Sequence, residues 1–169
     1  MQIAKKVGAV PVALTRGASK REALLDAGAA HVIATDEQDL VKEIHAITRD
    51  QGARVVFDPV AGATLAKLTQ ATAPHGLIVV SGALAPEPTP FPLFDVIGKG
   101  ITIRGYSITE VVKDPQRIQR ALGFISEGLA DGSLKPVIAK TFPLEQIVEA
   151  HRYLESNQQV GKVVVTVQK

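Results

Sequence analysis

The sequence has 169 residues, 46% of them hydrophobic and 21% charged, with a formal net charge of +2 and no cysteine. Such a chain is long enough for one domain with a substantial core, and its near-neutral balance argues against a nucleic-acid-binding surface. Lack of cysteine excludes disulfides, thiolate zinc sites and cysteine nucleophiles, and no apolar run approaches the roughly 20 residues of a membrane span.

The opening "MQIAKKVGA" reads as the second half of a helix ended by Gly8. A doubly wound sheet normally begins with a strand and a glycine-rich turn, so the chain is expected to be an N-terminally truncated piece. The same stretch lacks the long apolar core of a secretory signal, which makes the cytoplasm the expected location. The run "VPVAL" (10–14) predicts a strand, and 20–27 a helix stopped by Gly28. "HVI" (31–33) predicts the next strand, and 40–48 a helix with Leu40, Val41, Ile44 and Ile47 on one face. Strand "ARVVFD" (53–58), a helix over 63–72 and strand "GLIVV" (76–80) follow.

Residues 81–92, "SGALAPEPTPFP", carry Pro86, Pro88, Pro90 and Pro92 and predict a stiff loop after a strand, where folds of this kind bind ligands. "ITIRG" (101–105) predicts an outer strand. From Asp114 to about Ala130 the spacing of Ile118, Leu122, Ile125 and Leu129 predicts an amphipathic helix, with Asp114 as cap and Pro115 in the first turn. A last helix over 144–155, with Ile147, Val148, His151 and Leu154 on one side, precedes the strand "KVVVTV" (162–167). The strands are rich in Val and Ile and mostly lack alternation, as in sheets buried on both faces. Together these elements predict an α/β fold, a doubly wound, Rossmann-like parallel sheet.

In dinucleotide-binding folds the second strand ends beside the adenosine ribose, where an acid takes the 2′-hydroxyl of NAD and a cation the 2′-phosphate of NADP. Strand 10–14 stands in that place. Its end presents no acid but Arg16, Ser19, Lys20 and Arg21. Ser19 is also a candidate cap for the helix starting at Lys20, whose N-terminus would favour an anion. The stretch is therefore a candidate phosphate seat, with an ordinary solvated first turn as the competing reading.

The blocks "AGAAHVIATDEQDLVKEI", "GARVVFDPVAG", "GLIVVSGAL", "ITIRGYS" and "GKVVVTV", in this order and spacing, resemble the nucleotide-binding half of the medium-chain dehydrogenase/reductase superfamily. The resemblance is to its zinc-type alcohol dehydrogenase and quinone oxidoreductase-like branch. It runs from Met1 to about Val167. It implies one partial dinucleotide-binding domain over 1–169, without the family's barrel-like N-terminal domain, first strand and glycine-rich loop. It further implies hydride transfer between NADP(H) and a carbonyl, enone or quinone. By position it implies cofactor contacts at Arg16, Ser19 and Lys20 (2′-phosphate) and at Thr35 (adenosine). Asp58, Pro59 and Val60 match the ribose region. Ser81, Gly82, Ala83 and Leu84 match the nicotinamide carboxamide, with Tyr106 and Ser107 in the following loop and Lys162 opening the last strand.

His31, His45, His75 and His151 are dispersed without ligand spacing, so no metal is expected in this chain. No Gly-x-Ser-x-Gly elbow or Walker loop is present. No catalytic acid is nominated, because the cofactor carries the chemistry. Strand 101–105 is the expected dimer edge. The alternative reading is a free-standing nucleotide-binding or dimerisation module without turnover.

Overall fold

In the computed structural model, which describes residues 1–167, the order of elements is α1 (Gln2–Lys6), β1 (Val12–Thr15), α2 (Arg21–Asp26), β2 (His31–Ala34), α3 (Leu40–Thr48), β3 (Ala53–Asp58), α4 (Thr64–Ala71) and β4 (Thr72–Val80). There follow α5 (Leu93–Lys99), β5 (Thr102–Gly105), α6 (Thr109–Val112), α7 (Pro115–Ala130), β6 (Ile138–Pro143), α8 (Ile147–Glu155) and β7 (Lys162–Thr166). Every strand pair is parallel, and helices separate the strands, which is the Rossmann-like α/β pattern. The strands fall into three sheets, β1-β2, β3-β4-β5 and β6-β7. The described residues form two compact units, 1–34 with 122–167, and 35–121.

The second unit holds the central strand β4. Ile78 on it is fully buried, and Leu40, Ile44, Leu65, Leu68, Ala71 and Ile101 surround the same core. Each large apolar side chain so placed contributes about 1.5–3 kcal/mol relative to exposure. Asp39 caps α3 by accepting from the Val41 and Lys42 amides, and Arg49 in the left-handed region closes it. Asp114 caps α7 in the same manner, through the Gln116 and Arg117 amides at 2.9 and 3.1 Å. Hydrogen bonding from the Lys42 and Arg117 amides, respectively, holds the Asp39 and Asp114 carboxyls below their ordinary range. Lys99 on α5 spends all three N–H groups on the Thr69, Gln70 and Thr72 carbonyls around the end of α4. Asp95 accepts from the buried Thr69 hydroxyl at 3.0 Å, so α5 is pinned to α4 at two points.

In the first unit α1 is tied down by its polar side chains. Lys6 donates to Asp131 at 2.7 Å and to Ser133 at 2.9 Å, and the Gln2 amide exchanges hydrogen bonds with the Lys135 backbone at 3.0 and 2.8 Å. Phe142 is buried on β6, and Tyr153 packs against it with ring centroids 6.0 Å apart. The Lys140 ammonium lies over both rings, 4.8 and 5.3 Å from their centroids.

Several local expectations change. β1 starts at Val12 rather than residue 10, because Pro11 has no N–H to give a ladder; its carbonyl instead accepts from Ala30 at 2.8 Å. The helix expected over 20–27 is a 3₁₀ turn at Ala18–Lys20 followed by α2, and Ser19 does not cap it: Lys20 holds the N-cap position with no side-chain capping bond. The helix expected over 63–72 ends at Ala71, where Thr72 turns extended and opens β4. Residues 144–146 form a 3₁₀ turn before α8. On α8 the face with Ile147, Val148, His151 and Leu154 is exposed, and Ala150 is the buried residue. Tyr153, half-buried on the same helix, makes its aromatic contact with Phe142. On α7, Leu122, Ile125 and Leu129 remain 43–50% exposed, and Gly128 is the buried position, closed by Leu134.

Candidate functional site

The second unit assembles its candidate residues at the C-terminal ends of its three strands. Register places Asp58 beside Val80 and Val80 beside Gly105, so the loops that follow β3, β4 and β5 emerge side by side. They are also hydrogen-bonded to one another. The Ser81 amide donates to the Asp58 carbonyl at 2.9 Å, Leu84 to Pro59 at 3.3 Å, Ala85 to Val60 at 3.0 Å, and Tyr106 to Val80 at 2.9 Å. Gly82 permits this: a Cβ there would lie 2.7 Å from the Pro59 carbonyl oxygen. Asp58–Val60, Ser81–Leu84 and Tyr106 are thus brought together on one strand-end surface.

Asp58 organises this surface. Its side chain is buried, 4% exposed, and Oδ1 accepts from the Val60 and Ala61 amides at 2.8 and 3.0 Å. Ala61 and Gly62 both adopt positive φ, +61° and +65°, which turns the chain sharply into α4. Gly62 then donates to the Thr89 hydroxyl at 2.9 Å, fastening the proline-rich loop to this turn. Asp58 Oδ2 is buried with no donor among the described residues. Ser107 is engaged locally: its hydroxyl lies 2.9 Å from that of Thr109 and accepts from the Thr109 amide at 3.3 Å, which starts α6. Arg104 pairs with Glu110, and the Ser107 amide donates to the same carboxylate at 3.4 Å. Thr35, half-buried, follows the last residue of β2.

The first unit carries the candidate cations. Arg16 and Ser19 are exposed and Lys20 is half-buried. Arg21, read with them as part of the cationic strand end, donates to the Val32 carbonyl at 2.8 Å and so braces β2. Lys20 and Lys162 line one cavity of about 800 Å³ together with Lys135, Thr15 and apolar walls that include Leu14, Leu24, Ile125 and Leu129. The structure therefore groups Lys20 with Lys162, while Arg16 and Ser19 do not line that cavity. Sequence reading missed the turn at 157–159, whose Asn157 and Gln159 carbonyls both accept from the Lys20 ammonium, the latter at 3.1 Å. The one local signal was an asparagine after a helix, a residue that tolerates the left-handed region.

The donor set does not suit zinc. The chain has no cysteine, and among the described residues no three His, Asp or Glu side chains cluster. None of the helices in the described residues is long and apolar enough to cross a membrane.

A family model described as zinc-binding dehydrogenase matches residues 1–127. The chain belongs to that family. Its part within the medium-chain dehydrogenase/reductase superfamily is the C-terminal, nucleotide-binding one. Among curated relatives of this dehydrogenase-family chain is a 2-haloacrylate reductase of Burkholderia sp., 25% identical over 96% of the chain and 49% of the relative. The crystal structure of Escherichia coli quinone oxidoreductase complexed with NADPH matches with a TM-score of 0.86 at 27% identity, over 98% of this chain and 52% of that one. A solved NAD-dependent alcohol dehydrogenase matches with a TM-score of 0.86 at 29% identity, over 99% of this chain and 46% of that one. The chain thus spans about half the length of each of these three proteins.

Proposed function

We propose that this chain is most of the cofactor-binding domain of an NADP(H)-dependent oxidoreductase whose substrate is a carbonyl, enone or quinone. The observation that carries the cofactor choice is the end of β1: Arg16, Ser19 and Lys20 stand there, and no carboxylate lies between Thr15 and Arg21. A guanidinium and an ammonium suit a ribose 2′-phosphate, whereas a 2′-hydroxyl calls for an acid. The matched structures include both an NADPH complex and an NAD-dependent enzyme, so the choice rests on this chain's own residues.

When bound, the nicotinamide supplies the hydride chemistry. In this reading the protein seats and orients it. Arg16, Ser19 and Lys20 hold the 2′-phosphate and Thr35 the adenosine. The surface of Asp58–Val60 borders the ribose, Ser81–Leu84 the carboxamide and Tyr106–Ser107 the nicotinamide side, with Lys162 a further cofactor contact. The knitted strand-end loops of the second unit support this, because a flat ring is held best by backbone groups that do not move. We also place the protein in the cytoplasm as a homodimer paired through β5, whose outer edge has no strand partner among the described residues. Calorimetric titration tests the cofactor reading. NADPH is expected to bind at least about tenfold more tightly than NADH, as one charge-assisted contact implies; equal affinities, or tighter NADH, would overturn it.

A further inference from the structure

We infer that the turn at residues 157–159, beyond the C-terminus of α8, is a positioning element that holds the Lys20 ammonium ready for the 2′-phosphate; this rests on the phosphate seat proposed above. Lys20 donates to two carbonyls of that turn, those of Asn157 and Gln159. An ammonium has three N–H donors. Lys99 shows what a purely structural lysine does in this chain: all three of its donors go to backbone carbonyls. Among the described residues Lys20 gives two, which leaves one for an incoming oxygen.

The turn that presents those carbonyls is built for the purpose by its own side chains. Asn157 sits at φ +55°, a conformation open to Asn and Gly but costly for β-branched residues. Its side-chain amide donates to the Glu155 carbonyl at 3.3 Å, and the Gln159 amide donates to Leu154 at 3.2 Å. The Ser156 hydroxyl donates to Tyr153 at 2.6 Å. The carbonyls at 157 and 159 are therefore fixed before any ligand arrives. They restrict a side chain that otherwise has four free torsions, so ordering of Lys20 does not have to accompany binding.

The test uses the full chain and two small probes that differ in one group: adenosine 2′,5′-bisphosphate and adenosine 5′-monophosphate. Dissociation constants are measured for the parent protein, Lys20→Met, Asn157→Val and Asn157→Gly. The parent is expected to prefer the bisphosphate, and Lys20→Met to lose that preference. Asn157→Val, which disfavours the left-handed turn, is expected to lower the preference about tenfold while leaving affinity for the monophosphate unchanged. Asn157→Gly, which keeps the turn, is expected to retain the preference. A uniform structural defect would weaken both probes alike, so the ratio isolates positioning. Full preference in Asn157→Val, with its loss in Lys20→Met, overturns the positioning role and leaves the phosphate seat standing. Full preference in Lys20→Met overturns the seat itself and the inference with it.

Discussion

Replacing Asp58 by Ala tests whether one buried carboxylate sets the strand-end surface. Its Oδ1 takes the Val60 and Ala61 amides at 2.8 and 3.0 Å. A hydrogen bond to a charged group is worth about 1.5–3 kcal/mol net, and an orphaned buried donor costs about 1–3 kcal/mol. The two amides do not fare equally. The Val60 bond is part-buried in a residue that is 40% exposed, whereas the Ala61 bond is buried in a residue that is 4% exposed, so the Ala61 N–H is the costlier one to orphan. Losing the carboxylate also removes an oxygen, Oδ2, that is buried without a donor, which offsets part of the loss. The expected net cost of Asp58→Ala is about 2 kcal/mol. Asp58→Asn keeps an acceptor for both amides and is expected to cost less than about 1 kcal/mol. Urea unfolding followed by circular dichroism measures both. Equal destabilisation by Asn and Ala, or a cost for Ala below about 0.5 kcal/mol, would refute the claim that the bonds at Oδ1 hold this turn.

Gly82→Ala is expected to destabilise by about 1–3 kcal/mol, because the added Cβ would meet the Pro59 carbonyl at 2.7 Å; urea unfolding unchanged from the parent would contradict this close approach. The Lys6 and Ser133 side chains and the Ser133 amide lower the Asp131 pKa well below the ordinary carboxylate range. A carboxyl depressed in the folded state gives stability that is present above its unfolded pKa near 4 and lost as pH falls toward its folded value. Asp131→Asn is therefore expected to lower thermal stability at pH 7 and to make progressively less difference below about pH 4; a deficit that persists undiminished at pH 2 would count against the ion pair. The chain has no cysteine, so Thr102→Cys on the outer strand β5 gives a clean probe of pairing between copies. Mild oxidation is expected to yield a covalent dimer, and a product that stays monomeric would reject the β5 edge as the interface.

How much the residue pattern revealed follows from where each signal was stored. α3 was legible to the residue, because Asp39 caps it and Leu40 and Ile44 mark its buried face within nine residues. Strands β2 to β5 announced themselves by dense Val and Ile, and their C-terminal ends located the Asp58, Ser81 and Tyr106 loops. β6 was missed: "IAKTFP" has a weak strand composition, and it is extended because β7 pairs with it from some 24 residues away. α5 was missed for a similar reason, since its anchors, Asp95 to Thr69 and Lys99 to the end of α4, are tertiary. The division of the parallel strands into three sheets is likewise a matter of which edges meet, and no local pattern encodes that. On α7 and α8 the apolar stripes were real as sequence, yet burial went to Gly128, where Leu134 closes in, and to Ala150. At the candidate site, residue types at the end of β1 were readable, but the two carbonyls that grip Lys20 lie 137 and 139 residues away and belong to the backbone, so their only local trace is the asparagine that turns the chain there.

The central claim is that the cations after β1 read the 2′-phosphate. The measurement that addresses it most directly is a paired titration of NADPH and NADH against the parent protein and the Arg16→Ala/Lys20→Ala double variant. Two charge-assisted contacts, discounted for the exposure of Arg16, amount to about 2–3 kcal/mol, so NADPH is expected to weaken by about thirtyfold or more while NADH changes little. Loss of both cofactors to the same extent, or no loss of NADPH, would contradict the account.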